Sequence, residues 1–180
     1  MARGVCHVGH VPYEDVYFSS RYLEGAILVY LKNLGIVAPN KPPRVVKEDG
    51  DKFTGAYVQS PQRGKHDWVF DLDITSMYPS VIMSLNVSPE TKMGKIKGWN
   101  VEEFMRGDKK TYTLMIGEKE MGKLTETELK DFFDNNKVSV SSNGVLYRSD
   151  KKGLIPALLE KWFDTRVEYR KLMKKFGDAG

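Results

Sequence analysis

Apolar side chains recur at the spacing of an α-helix in two long stretches of the chain. The first stretch opens after Ser19 and stops before Gly35, and the second opens around residues 153–156 and stops at Gly177. Serine is a common helix N-cap, and glycine favours the position just after a helix end. The pattern therefore predicts two amphipathic helices, of which the second is the longest helix of the chain.

Alternation of apolar and polar residues predicts β-strands in two other places. Residues 68–74 alternate, and Pro79 then begins a predicted helix after a short break. Residues 138–148 alternate around the dipeptide Asn143-Gly144, which is a strong signal for a two-residue hairpin. Capping-box spacing predicts two further helix starts, at Asn100 with Glu103 and at Thr125 with Glu128.

Two carboxylates lie at the end of the first predicted strand. Asp71 and Asp73 share one face of that strand, and a turn then leads into the helix at Pro79. Mg²⁺ prefers hard oxygen ligands, and the free N–H groups of a helix start point toward phosphate oxygens. The arrangement suits a bound metal-phosphate. The alternative is a charged strand end that leads into a helix cap, since short motifs often match by chance.

Composition is that of an ordinary folded protein with a modest excess of positive charge. The 180 residues are 41% hydrophobic and 29% charged, enough for one domain with a core or two very small ones. The net charge of +4 is compatible with binding to nucleic acid. No apolar run approaches the length of a membrane span, so an intracellular protein without membrane partners is expected. Cys6 is the single cysteine, which excludes an internal disulfide, and with His7 and His10 it lacks a zinc spacing.

The string DITSMYPS at residues 73–80, followed by LNVSPET at residues 85–91, resembles motif A of the family B DNA polymerases. The form is that of T-even phage replicases, in which a DxxSLYPS string precedes NISPET. Met77 replaces the usual leucine, a change that conserves volume. The resemblance extends over most of the chain, weakly from Val11 and including the PNK string at residues 39–41, and firmly at residues 55–58, 73–91 and 144–170.

The resemblance implies an α/β fold, more specifically α+β, in the form of a partial polymerase palm. Antiparallel strands and packed helices are expected, ending in a long helix that leads toward the fingers. Residues 1–43 would link an exonuclease-type region to the palm, residues 44–153 would form the partial palm, and residues 154–180 the final helix. Residues 93–136, where the resemblance fades, are interpreted as a variable insertion with ordinary packing.

The resemblance also implies roles for the residues of motif A. Asp73 would be the catalytic residue that binds the Mg²⁺ ions. Ile74, Ser76, Met77 and Tyr78 would bind the incoming nucleotide, through backbone amides and the Ser76 hydroxyl. The Tyr78 ring would lie under the sugar and exclude a 2′-hydroxyl, which indicates a polymerase of deoxynucleotides.

Two further segments are candidate DNA contacts. Gly55, Ala56 and Tyr57 resemble a family block near the template strand, although a close approach to another strand of the protein explains a small-residue pair equally well. Arg166 and Arg170 belong to a basic helix end. They contact either DNA phosphate or triphosphate, or they are solvated side chains favoured by the helix dipole.

The second carboxylate motif of the family, a DTDS string, is absent from the sequence, as is the KxxxNSxYG string of the fingers. The expected function is therefore a piece of a DNA-directed DNA polymerase that acts on primer-template DNA and dNTP. It would be active only with the part that carries motifs B and C, either on a second polypeptide or in a longer chain. Self-association through exposed palm surface and a location in the cytoplasm of a phage- or virus-infected cell are also expected. The alternatives are a non-catalytic DNA-binding or assembly subunit, and an unrelated metal-phosphate hydrolase that uses Asp71 and Asp73.

Overall fold

A computed structural model describes residues 2–40, 56–117 and 119–177 of the chain. These residues form six α-helices and five β-strands, which are numbered here in chain order. The helices are α1 (Ala2–Gly9), α2 (Ser19–Asn33), α3 (Met77–Ser84), α4 (Val101–Arg106), α5 (Glu126–Asn136) and α6 (Leu154–Gly177), and the strands are β1 (Lys92–Lys97), β2 (Thr111–Ile116), β3 (Lys119–Thr125), β4 (Val138–Val140) and β5 (Val145–Arg148).

The five strands form one sheet in the order β3-β2-β1-β5-β4, and every neighbouring pair is antiparallel. The buried core consists of Ile96 on β1, Tyr112 on β2, Leu146 on β5 and Leu129 on α5. Alternate residues of each strand reach this core, because successive side chains of a strand point to opposite faces. Leu129 joins the three strand residues in one cluster, so α5 packs against that face of the sheet. The mixed fold with an antiparallel sheet confirms the predicted fold class.

Local sequence signals account for most element ends. The hairpin predicted at Asn143-Gly144 forms, but its loop holds three residues (142–144) instead of two, because Val140 pairs with Leu146 and the Ser141 N–H donates to the Val145 carbonyl oxygen. Gly144 has φ of +80° in this loop, as in three-residue hairpin loops that end in a glycine. The Asn100 side chain accepts a hydrogen bond from the Glu102 backbone at the start of α4, and Thr125 and Glu128 form the predicted capping box of α5. The two long helices predicted from apolar spacing are α2 and α6.

The predicted strand at residues 68–74 is wrong in this structure, since these residues form neither strand nor helix. Phe70 and Leu72 are 81% and 84% exposed. A strand needs a neighbour to satisfy its backbone groups, and none of the five described strands pairs with this segment. Helix α3 also begins two residues earlier than predicted, at Met77 instead of Pro79. Helix α1 was not predicted.

Residues 93–136 supply most of the sheet. They hold nearly all of β1 and the whole of β2, β3 and α5, and with them three of the four core residues. The sequence predicts a strand end or a loop at residues 45–50, and this segment lies outside the described residues. Within the described part of the chain, no helix combines the length and the apolar character that a bilayer crossing demands.

Candidate functional site

The start of helix α3 carries exposed polar groups. Ser76 precedes the helix with φ of +51° and ψ of +52°, a left-handed conformation that costs a non-glycine residue about 1–2 kcal/mol. The first helical hydrogen bond runs from the Ser80 N–H to the Ser76 carbonyl oxygen, at 3.0 Å. The N–H groups of Met77 and Tyr78 precede that bond, so the helix leaves them free to bind a ligand.

Arg166 on α6 donates a hydrogen bond to the side chain of Ser76. Its Nη1 lies 3.1 Å from the Ser76 hydroxyl oxygen. A cavity of about 180 Å³ lies beside this contact, between α3 and α6. Its walls include Pro79, Trp162 and Phe163. A guanidinium has five N–H donors, so one bond to Ser76 leaves others for an anion. The turn therefore combines a permanently charged guanidinium with backbone N–H groups that have no helical partner.

Asp73 lies three residues before Ser76, and its side chain is exposed. Nowhere in the described ranges do three or more His, Cys, Asp or Glu side chains come together as a possible metal-binding group. The turn therefore offers a metal ion fewer than three such side chains, and Asp73 is the carboxylate that lies nearest to Ser76 in the sequence. Tyr78 and Ile74 are 72% and 64% exposed, so neither side chain packs in the core.

A polar cluster formed by the buried residues Asn86, Ser88 and Thr91 and the exposed residue Glu90 joins the other end of α3 to the start of α6. The Asn86 amide nitrogen donates to the carbonyl oxygens of Arg148, at 2.6 Å, and Lys151, at 2.8 Å. Its amide oxygen accepts from the Gly153 N–H at 2.8 Å. These three bonds use both N–H donors of the amide and one of the two lone pairs of its oxygen.

Glu90 and Ser88 bind the first residues of α6 directly. The Glu90 carboxylate accepts from the Leu154 N–H and from the Ser88 hydroxyl, and the Ser88 hydroxyl oxygen accepts from the Ile155 N–H at 3.3 Å. Partial burial raises the pKa of Glu90, but these hydrogen bonds outweigh it and bring that pKa below its ordinary value. The carboxylate is therefore held in its charged form at the positive end of the α6 dipole.

The remaining predicted site residues are not brought to this turn. Ala56 and Tyr57 are exposed, and Gly55 lies outside the described residues. Arg170 lines a mostly apolar groove of about 810 Å³ with Val5 and Val8 of α1, and Arg166 lines both this groove and the cavity beside Ser76. Among the predicted residues in the described ranges, Ser76 and Arg166 are the only two joined by a side-chain hydrogen bond.

Sequence reasoning missed two features of the site. The sequence predicts that Arg166 contacts DNA phosphate or triphosphate, or is a solvated side chain, and nothing in it indicates the bond to Ser76. The sequence also predicts that residues 86–91 cap the preceding helix and turn, and that the GLIP string at residues 153–156 starts a helix. Both strings were singled out, but nothing in their spacing showed that they bind each other across more than sixty residues.

The turn thus has the groups that bind a phosphorylated ligand together with a cation: amide donors, a guanidinium and a carboxylate. Comparison with known proteins agrees with that class. A model of DNA polymerase family B matches residues 16–180. The chain therefore belongs to DNA polymerase family B.

Several relatives are DNA polymerases of phages and archaea. The chain is 27% identical over 163 residues to the DNA-directed DNA polymerase of Enterobacteria phage T4, covering 91% of this chain and 15% of that protein. It is 27% identical over 121 residues to that of Escherichia phage RB69, covering 67% of this chain and 11% of the relative. It is 37% identical over 83 residues to the DNA polymerase of Archaeoglobus fulgidus, covering 45% and 10%. The matched part therefore spans only a small share of each relative.

Proposed function

We propose that this chain supplies the motif A part of a family B DNA polymerase. In this proposal the turn before α3 binds the triphosphate of a dNTP, Asp73 is a ligand of Mg²⁺, and the reaction is attack of a primer 3′-hydroxyl on the α-phosphate. The chain acts only together with the polymerase segments that carry the remaining carboxylates, whether they belong to the same polypeptide or to a second one.

The observation that carries the proposal is the bond from Arg166 to Ser76. It brings a permanent cation to a helix start whose N–H groups at Met77 and Tyr78 are free of helical partners. Charge-assisted hydrogen bonds from arginine to phosphate are stronger than bonds between neutral groups, and guanidinium geometry allows two at once. Ser76 and Arg166 would therefore hold the triphosphate, and the backbone amides would bind its oxygens.

The donor set at Asp73 fits magnesium in one particular way. Proteins often hold Mg²⁺ through one or two carboxylates, with phosphate oxygens of the substrate and water completing the octahedron. An exposed carboxylate beside a phosphate-binding turn, with no group of three or more possible ligands in the described ranges, suits that mode better than an all-protein cage. Bound Mg²⁺ would neutralise charge that develops on the phosphate oxygens during transfer.

Tyr78 would select the sugar. Its ring is exposed on the first turn of α3, two residues after Ser76, so a nucleotide whose phosphates occupy the turn would bring its ribose near the ring. A 2′-hydroxyl would then meet the ring, and a deoxyribose would not. Ala56, Tyr57 and Arg170 are proposed contacts to the primer-template DNA, consistent with the net positive charge of the chain.

The test compares two carboxylates in the polymerase that contains this chain. Asp73→Asn should reduce primer extension by at least about a thousandfold, since losing a metal ligand removes several kcal/mol of transition-state stabilisation. Asp71→Asn is the matched control, because Asp71 is equally exposed and lies two residues away. It should retain most activity. Equal extension by Asp73→Asn and wild type would refute the catalytic assignment.

A second candidate function is a non-catalytic assembly or DNA-binding subunit. The exposed apolar segment at residues 68–74 favours it, because a contiguous apolar surface of this kind often marks a protein interface. The same surface would also support self-association of the chain. This function gains support if Asp73→Asn leaves extension intact while substitutions in the segment abolish assembly with the rest of the polymerase.

A further inference from the structure

We propose that Asn86 and Glu90 are positioning residues that hold the guanidinium of Arg166 at the Ser76 turn, by fixing helix α6 against helix α3. The inference deepens the proposed function, on which it rests for the role of the turn. It assigns a task in nucleotide binding to residues that never touch the nucleotide.

Helices α3 and α6 are joined to each other by hydrogen bonds at two points along their length. Ser76, at the start of α3, meets Arg166. Asn86, just past the end of α3, meets Gly153, just before the start of α6. The two helices therefore run antiparallel. With a rise of 1.5 Å per residue, the two points lie about 15 Å apart along α3 and about 20 Å apart along α6.

The first point is weak by itself. The bond from Arg166 to Ser76 is exposed, and an arginine side chain retains much rotamer freedom unless its backbone is held. A shift of α6 along α3 by one ångström would lengthen the bond beyond the range of a hydrogen bond. Something else must set the relative position of the two helices.

The second point is rigid. Asn86 is 6% exposed, and its side chain holds three backbone groups of residues 148–153. The backbone of Gly153 passes so close that an added Cβ would lie 2.7 Å from the Ser88 Cβ and 3.0 Å from the Thr91 Cγ2. Glu90 adds a charged acceptor for the first N–H of α6. Since packed contacts of this kind resist small displacements, they determine the position of the Arg166 backbone relative to the Ser76 turn.

The first experiment reads the position of Arg166 without any nucleotide. The full chain is labelled with ¹⁵N-arginine, and the Arg166 side-chain signals are assigned from Arg166→Lys. Ser76→Ala gives the reference for a lost bond. Glu90→Ala is expected to move the Arg166 signals toward that reference. Asn86→Ala should do the same more strongly, and Glu90→Ala remains the test if Asn86→Ala does not fold.

Glu160→Ala is the matched control. Glu160 also lies on α6 and forms an ion pair with Lys152, but it does not contact the Asn86 cluster. It should leave the Arg166 signals in place. If Glu90→Ala keeps the wild-type Arg166 signals while its circular dichroism shows a folded chain, the positioning role is overturned.

The second experiment measures primer extension by the polymerase that contains this chain. Glu90→Ala should raise the KM for dNTP about threefold to tenfold with little change in kcat, and Glu90→Gln, which keeps an oxygen acceptor, should restore most of it. Glu90→Ala should add little to the KM of Arg166→Ala, because both changes act through one guanidinium. Additive effects on KM would refute the inference.

The two proposals fail in different ways. If Arg166→Ala leaves the KM for dNTP unchanged, the proposed role of the turn fails, and the arginine signals still report on the positioning. If Arg166→Ala raises KM and Glu90→Ala alters neither KM nor the arginine signals, only the positioning fails.

Discussion

Replacing Asn86 should destabilise the protein strongly. Asn86→Ala removes three hydrogen bonds, to the carbonyls of Arg148 and Lys151 and from the N–H of Gly153. A buried group that loses its partner costs about 1–3 kcal/mol, and water can reach the two partly buried carbonyls more easily than the N–H. Asn86 also has φ of +55°, which alanine adopts at a further cost of about 1 kcal/mol. The expected loss is about 3–5 kcal/mol.

The isosteric change Asn86→Asp separates hydrogen bonding from shape. The introduced carboxylate still accepts from the Gly153 N–H, but its second oxygen faces the carbonyl oxygens of Arg148 and Lys151. Repulsion between these oxygens raises the pKa of the introduced carboxyl in the folded state. A group with a raised folded-state pKa binds more protons in the folded chain, so the variant should regain stability as the pH falls. Wild type should not show this recovery.

The assay is chemical denaturation followed by circular dichroism, at about pH 7 and about pH 5. Asn136→Asp is the control, because Asn136 is exposed and makes only one side-chain bond, to the Phe132 carbonyl. It should change stability by about 0.5 kcal/mol. Losses below about 1 kcal/mol for both Asn86 variants would show that the cluster does not hold the two helices together.

Three further outcomes are expected. Because the pKa of Glu90 is lowered in the folded state, its ionised carboxylate stabilises the fold at pH values above the ordinary pKa of 4.5, and this stabilisation is lost as the pH falls through the folded-state pKa. The free energy of unfolding of Glu90→Gln should therefore depend less on pH in that acidic range than that of wild type. Tyr112→Phe should raise the free energy of unfolding by about 1 kcal/mol, because the buried Tyr112 hydroxyl finds no hydrogen-bond partner among the described residues. A lower free energy of unfolding in chemical denaturation would instead indicate that the hydroxyl has a partner. Phe70→Asp should reduce any self-association of the chain in sedimentation velocity, whereas Met105→Asp, at an equally exposed position on α4, should not.

Much of the local structure followed from the sequence. The extents of α2 and α6, the capping box at Thr125 and a turn at Asn143-Gly144 were predicted by signals that operate within a few residues. These signals succeed because a cap or a tight turn satisfies its own backbone groups. The serine N-cap predicted for α2 is wrong, because Phe18 precedes the helix and makes no side-chain hydrogen bond to it. The segment at residues 68–74 shows the limit. Its alternation is that of a strand, but a strand forms only where a neighbour completes its hydrogen bonds.

The sequence by itself determined the family, through the strings at residues 73–80 and 85–91, and named the carboxylate and the tyrosine of the proposed site. Only the tertiary structure decided which cation reaches the Ser76 turn and which residues hold it there. The physical reason is distance along the chain. Arg166 lies ninety residues after Ser76, and Gly153 lies sixty-seven after Asn86, so neither contact leaves a periodic or capping signal that a reader of the sequence could detect.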